Sequence, residues 1–436
     1  MAKNLIFVFE FVSGGGFSKT NIPTSIFCEG FGMLRSIILD FKALDFEIHT
    51  ILDYRVFFLS QFLQADIIKR VDINEDYIKI FKTFAQKCDY VFIIAPETSN
   101  ILHKLTHIAK KYDKIVLSTN ITGIKLGSSK LKTFKFFKKN DIYTPKTYKI
   151  PYKKKFIDLD FILQKFRELK RPIVIKPEDG VGAESIYYFE KEDHILNYFS
   201  SLNNKLESKR TYILQEFIKG RDLSISLIGC PKQIDLHPII LSINSQNVKL
   251  ENFESEYYGG YCPIEDLKDI FKKISFLINK FQPLKIEGYF GIDFIAKHDL
   301  SFSLIEINPR LTTSYIGLRK VINLNCAELI INSKFNFPSK PEIHPKFYSV
   351  FTRIDFSSDE FESMESFNNE FIPKLIKLIP EFVTPPISLN GSNDYSCFVA
   401  TKTKDLNSSN KRLNEIIQSL KDLNFNVIKP IKIGLS

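Results

Sequence analysis

The chain has 436 residues, 44% hydrophobic and 25% charged, the proportions of a folded globular protein with a sizeable core and room for roughly two to four domains. Its formal net charge of +10 would suit an anionic ligand. The basic residues are scattered, however, and the one dense patch, Lys146 to Lys155, reads as a solvated linker, so nucleic acid is not an expected partner. The six cysteines include no CxxC pair and no run approaches the ~18 apolar residues of a bilayer span, which argues against a structural zinc site, a disulfide framework and a membrane association and points to a reducing, cytoplasmic setting.

In chain order, Leu5 to Val12 is an apolar strand, too short and too interrupted by Glu10 for a signal peptide. Ser13-Gly14-Gly15-Gly16 follows; it lacks GxGxxG spacing and reads as a tight turn. Tyr90 to Ala95 and Lys114 to Leu117 are further buried strands separated by helical patterns, and this alternation predicts a parallel α/β domain over residues 1–125. Ser128-Ser129 then precede a Lys/Phe-rich helix beginning at Lys130. Pro172 to Lys176 is a strand, Glu178 to Ala183 a glycine loop and Ser185 to Phe189 its hairpin partner. Thr211 to Phe217 completes a unit of residues 126–219. Leu223 to Ile228 and Pro238 to Ile243 open an antiparallel group within residues 220–344, with a turn-rich loop at Tyr257 to Pro263. Residues 345–436 alternate strand and helix again, which predicts a small α+β addition.

Three stretches carry chemistry. In Lys176-Pro177-Glu178-Asp179-Gly180-Val181-Gly182 a lysine ends an apolar strand just before a flexible loop, so its ammonium can neutralise phosphate while Gly180 and Gly182 let backbone amides approach. No GK[ST] follows, so this is not a Walker A loop. Gln215 to Asp222 (QEFIKGRD) sets polar groups, an apolar residue, a glycine turn and a carboxylate in close succession, as a strand ending at a turn or as a nucleotide-contacting linker. The third stretch, Gly291 to Arg310, is a hairpin around His298-Asp299 in which Asp293 faces Glu306 across the ladder at ~5 Å. Alternation puts Glu306, Asn308 and Arg310 on one face. Two carboxylates on a buried face repel unless a cation lies between them, and oxygen ligands with an amide carbonyl suit magnesium or manganese better than zinc.

The order of these stretches, with Lys130 ahead of them, resembles the ATP-grasp superfamily over roughly residues 1 to 335. The resemblance implies an N-terminal domain followed by central and C-terminal ATP-grasp subdomains. It also implies ATP phosphates on Lys130 and Lys176, adenine beside Gln215, Glu216 and Ile218, ribose on Asp222, two Mg2+ or Mn2+ ions on Asp293, Glu306 and Asn308, and Arg310 on the transferring phosphoryl group. The strings at Phe7 to Gly16, Cys28 to Leu34, Tyr257 to Pro263 and Glu306 to Arg319 resemble the archaeal tyramine–L-glutamate ligases of methanofuran synthesis and their relatives. That resemblance implies an ADP-forming carboxylate–amine ligase with small-molecule substrates; Glu10, Glu29, Tyr257, Thr312 and Thr313 are expected near the acceptor pocket, and a homodimer is the candidate assembly. A kinase on the same fold and a nucleotide-binding regulatory protein without turnover are the alternative readings.

Overall fold

The computed structural model describes residues 4–153, 156–180, 186–200, 206, 210–230, 237–251, 254–265, 267–335, 341–358, 371–389 and 394–428. Strands β1 (Leu5–Glu10), β2 (Glu47–Asp53), β3 (Ile67–Val71), β4 (Tyr90–Ile94) and β5 (Ile115–Val116) form a parallel sheet in the order β3-β2-β1-β4-β5. Strand β1 is apolar at nearly every position because helices cover both faces of such a sheet. Strand order reverses between β1 and β4, and ligands of open parallel sheets bind beyond the carboxyl ends of strands at such a point. Glu10 ends β1 and Glu97 follows β4 there.

The remaining strands are, in chain order, β6 (Thr147–Lys149), β7 (Tyr152–Lys153), β8 (Phe156–Ile157), β9 (Ile173–Pro177), β10 (Tyr187–Phe189), β11 (Tyr212–Glu216), β12 (Arg221–Gly229), β13 (Ile239–Ser245), β14 (Val248–Glu251) and β15 (Glu254–Tyr257). Next come β16 (Gly259–Cys262), β17 (Gly288–Ala296), β18 (Phe302–Asn308), β19 (Ser349–Ser357), β20 (Phe382–Ile387), β21 (Asp394–Ala400) and β22 (Asn426–Val427). One sheet has the order β14-β15-β10-β9-β11-β6, a second β13-β12-β17-β18, and a third β16-β19-β21-β20 with β22 on β19. The first of these encloses a small core of its own, with Ile162, Ile173, Ile175, Phe189 and Leu214 fully buried.

Two expectations from sequence change here. Part of the expected Lys146–Lys155 linker is strand β6, paired with β11. The expected loop at Tyr257 to Pro263 is instead mostly strand: β15 ends at Tyr257 and β16 pairs with β19, about ninety residues later in the chain. Gly259 permits that pairing, because its φ is +105° and a Cβ would stand 2.1 Å from the Phe351 carbonyl oxygen. The sheet containing β19–β22 therefore includes a strand from the preceding subdomain. It also covers the N-terminal helix Thr24–Lys42: Thr384 Oγ1 donates to the Cys28 carbonyl at 2.6 Å, and Arg35 Nη1 donates to the carbonyls of Phe382 and Val383. On the same helix Asp40 accepts from Arg319 and from the Tyr315 hydroxyl.

The hairpin of β17 and β18 pairs Asp293 with Glu306, by a route the sequence did not show. From Phe294↔Leu304 to Ala296↔Phe302 the pairing is one residue out of step with the Asp293↔Glu306 pair, and a bulge at Ile305 takes up the difference. A bulge of this kind re-aims the side chains beyond it. All six cysteines are buried and unbridged. No helix among the described residues is long and apolar enough to cross a membrane.

Candidate active site

A cavity of about 1200 Å³ is lined by residues of all four large sheets, from Glu10 on β1 to Arg353 on β19. One part is built by β9, β11, β12, β17 and β18. Lys176, on β9, is 4% exposed. Burial lowers its ammonium to about 8 in spite of nearby Glu306. Lys130 opens the helix Lys130–Lys139 behind a Ser129 cap. Far from being solvated, it is buried, its Nζ donating to the Gly180 carbonyl at 2.6 Å and lying 3.2 Å from Glu306 Oε2. The glycine loop, the helix start and strand β18 thus meet at one ammonium. Gly182 falls outside the described residues.

Asp293 accepts from Asn308 Nδ2 at 2.9 Å and from Gln246 Nε2 at 3.0 Å. Burial, then the facing Glu306, raises its carboxyl above the ordinary range. Burial pushes Glu306 up as well, but the ammonium groups of Lys130 and Lys176 draw it below its usual value. Among the described residues no three His, Cys, Asp or Glu side chains converge as a metal cage. A divalent ion on Asp293, Glu306 and Asn308 would therefore complete its shell with phosphate oxygens and water, the habit of magnesium. The residues fit such an ion: Glu306 Oε2 is buried with no partner beyond its 3.2 Å ion pair with Lys130, and the amide of Asn308, turned with its nitrogen toward Asp293, keeps Oδ1 available.

Gln215, Glu216, Ile218 and Asp222 line the same cavity. Gln215 Nε2 donates to Thr147 Oγ1 at 2.8 Å, and Glu216 accepts from Arg171 Nη1 at 2.9 Å. Both side chains are thereby held, and Ile218 offers an apolar surface between them and Asp222. Burial raises the Asp222 carboxyl to about 6.

The remaining wall comes from the N-terminal domain, the segment after β18, β15 and β19. Arg310 is 14% exposed and its Nε lies 3.2 Å from Glu97, which follows β4; Nη1 donates to the Leu311 carbonyl. Burial works against its charge, and Glu97, Asp293 and Glu29 more than offset that. Glu29 accepts from Thr313 Oγ1 at 2.6 Å. Glu10 reaches the cavity, but its oxygens are taken by Val12 N, Ser13 N and Ser13 Oγ, so it shapes the turn after β1. Tyr257 lines the cavity between Glu29 and Asp293, which together with burial hold its phenol protonated. Arg353 is held by Asp355 and Glu256. Phe11, Phe17, Ile26 and Met33 supply apolar surface. Sequence reasoning missed Glu97, Gln246 and Arg353. The rule that ligands gather at the carboxyl ends of parallel strands could have flagged Glu97; the other two depend on pairings remote in sequence.

Comparison with known proteins agrees with this geometry. A family model described as an ATP-grasp domain matches residues 127–314, and one described as a pre ATP-grasp domain matches residues 47–124. The tyramine–L-glutamate ligase of Methanocaldococcus jannaschii is 29% identical over 353 residues, covering 80% of this chain and 96% of the relative. That of Methanocaldococcus fervens is 30% identical over 341 residues, covering 76% and 94%. Among solved structures, the biotin carboxylase domain of 2-oxoglutarate carboxylase from Hydrogenobacter thermophilus, in complex with MgADP, ADP and bicarbonate, superposes with a TM-score of 0.70 at 12% identity, over 98% of this chain and 91% of that one. Proteins of this family bind ATP together with divalent metal ions. The chain belongs to the ATP-grasp superfamily and is an ATP-dependent carboxylate–amine ligase.

Proposed function

We propose that the protein activates a carboxylate as an acyl phosphate, with ATP and two magnesium or manganese ions, and joins it to an amine, the substrate pair being L-glutamate and tyramine or a similar amine. The observation that carries this reading is the convergence on one cavity of Lys176, Asp293, Glu306, Asn308 and Arg310, with the Lys130 ammonium 3.2 Å behind Glu306, continuous with a wall that is both acidic and apolar. Two relatives that match most of the chain carry the name tyramine–L-glutamate ligase, and the Phe11, Phe17, Ile26 and Met33 surface beside Glu29 suits a cationic aromatic amine. In this reading residues 126–219 and 220–344 are the two ATP-grasp subdomains, residues 1–125 the domain that precedes them, and residues 345–436 an addition that supplies Arg353.

Lys130 and Lys176 neutralise phosphate oxygens, Gln215, Glu216 and Ile218 hold adenine, and Asp222 accepts from ribose hydroxyls. Asp293, Glu306 and Asn308 would hold the ions, which when bound would neutralise charge on the nucleotide phosphates. The substrate carboxylate attacks the γ-phosphorus and ADP departs, Arg310 facing the oxygens that move. The amine nitrogen then attacks the acyl carbon, the bond from that carbon to the phosphate oxygen breaks, and the nitrogen gives up its proton. The loop at Gly180 shields the acyl phosphate from water. Incubation with ATP, magnesium, L-glutamate and a panel of amines including tyramine, followed by mass spectrometry, tests this. Amide, ADP and phosphate in equal amounts are expected; ADP release indifferent to every amine, with no amide formed, overturns it.

A further inference from the structure

Beneath the segment that follows β18, four hydroxyl groups close a circuit. Tyr289 on β17 donates to Ser226 Oγ on β12 at 2.9 Å; Ser226 and Ser314 lie 3.2 Å apart, Ser314 and Thr312 2.8 Å, and Thr312 and the Tyr289 hydroxyl 2.9 Å. The direction of the circuit follows from Ser226. Its oxygen also receives the Asn244 amide at 3.1 Å, so both its lone pairs are used and its own proton must go to Ser314. Ser314 then donates to Thr312, and Thr312 to Tyr289. Each hydroxyl has one proton and two lone pairs, so four protons fill four bonds and no donor is left. The lone pairs still unused inside the circuit belong to Tyr289, Thr312 and Ser314, and of these residues only Thr312 and Ser314 line the cavity.

Thr313, between them, is likewise committed as a donor, giving its proton to Glu29. Three consecutive hydroxyl residues therefore turn their protons away from the cavity. Thr312 lies beside Gly291, where a Cβ would meet its methyl at 2.8 Å, and Gly291 pairs with Asn308. The hydroxyls thus stand at the edge of the Asp293–Glu306–Asn308 cluster.

We propose that Thr312 and Ser314 form an acceptor-only subsite that receives the ammonium of the amine substrate and holds it beside the carboxyl group being activated. This rests on the ligase reading above. An ammonium brings three donors to two waiting oxygens within the field of Glu29, and after losing one proton it still has two N–H groups to keep it in place. A carboxylate at the same position would find only acceptors and would have to break the circuit to gain a donor. The subsite thus separates the two substrates by donor count: the amine goes to the hydroxyl segment and the carboxylate to Arg310.

The test is steady-state kinetics with the amine that the wild-type protein uses best. Thr312→Val keeps shape and removes the acceptor; the KM for the amine should rise about tenfold to a hundredfold, the range of one hydrogen bond to a charged group, with the KM for ATP unchanged. Thr312→Ser, which restores the hydroxyl, should bring the amine KM back to near wild type. Ser314→Ala removes the second acceptor independently and should shift the amine KM in the same direction. An unchanged amine KM in either Thr312→Val or Ser314→Ala, with wild-type thermal melting, overturns the subsite while leaving the ligase reading intact. A wild-type protein whose ADP release ignores every amine removes the ligase reading and the subsite together.

Discussion

The two halves of the cavity are written into the chain in different ways. The half proposed for the nucleotide draws Lys176 and Gly180 from one short stretch, Gln215 to Asp222 from one linker, and Asp293, Glu306 and Asn308 from one hairpin. The half proposed for the acceptor takes Glu10 from β1, Glu29 from the helix Thr24–Lys42, Tyr257 from β15, the Thr312–Ser314 segment, and Arg353 from β19, with Glu97 behind Arg310. Phosphates and cations impose the same geometry on any chain that grips them, so local motifs suffice. An acceptor pocket is defined by whatever distant surfaces fold against it. If this division is functional, substitutions in each half should move different kinetic constants.

The largest effect belongs to the nucleotide half. Glu306→Ala removes a buried carboxylate that faces Lys130 and Asp293, and ATP turnover should fall by about 10³-fold or more, the scale set by losing a preorganised electrostatic partner of phosphoryl transfer. ADP formation measured with every substrate present checks it, with thermal melting to show that the fold persists. Turnover within a few-fold of wild type would remove Asp293, Glu306 and Asn308 as metal ligands.

Glu97→Gln probes the joint between the halves. Glu97 does not line the cavity, but it fixes the Nε edge of Arg310 from the opposite domain, so it acts as a positioning residue. The neutral variant should lower kcat by roughly tenfold to a hundredfold, because a guanidinium that must be reoriented at each turnover loses part of its preorganisation. The KM for ATP should hold, and Glu97→Asp should recover part of the loss. Equal changes in kcat and in the KM for ATP would mean that Glu97 supports the fold of the nucleotide half instead.

The same division explains what could be read from sequence. Asp293, Glu306 and Asn308 were legible because strand alternation and a hairpin are local, and even there the pairing of Asp293 with Glu306 depends on a bulge at Ile305 that no residue type announces. Nothing local sets Lys130 apart from the other lysines of its helix, and its burial against Gly180 and Glu306 comes only from tertiary packing. The parallel sheet was legible at β1, β4 and β5 because those strands are continuous apolar runs. Its outer strand β3, with Lys69 and Arg70 in its middle, carries no such signal. Strand β16 was hidden behind its glycines, which normally mark turns, because its partner β19 comes so much later in the chain.

A pH profile separates the halves by a smaller effect. Burial raises Asp222 to about 6, so below that pH the free protein carries it protonated, with less capacity to accept from ribose hydroxyls. The KM for ATP should climb as the pH falls through about 6, while the KM for the amine follows its own course. In Asp222→Asn the KM for ATP should be about tenfold higher at neutral pH and should lose the part of the acid-side rise that belongs to this carboxyl. An identical acid-side rise in the two proteins would take Asp222 out of nucleotide binding.

The smallest expected effect lies at the seam. At Gly291 an added Cβ would come within 2.8 Å of the Thr312 methyl, while its next contact, Asn308 Cβ at 3.7 Å, is ordinary van der Waals distance. The strain of Gly291→Ala therefore falls on Thr312 and spares the metal cluster. Thr312 cannot turn aside freely, since its hydroxyl is tied to Tyr289 and Ser314, and overpacking of this size costs about 1 kcal/mol or somewhat more. Spent on the position of one hydroxyl, that amounts to a rise of about fivefold to tenfold in the KM for the amine with the KM for ATP unchanged. If instead both constants rise together, the strain has passed through Asn308 into the nucleotide half, and the two halves are mechanically one at the residue where they touch.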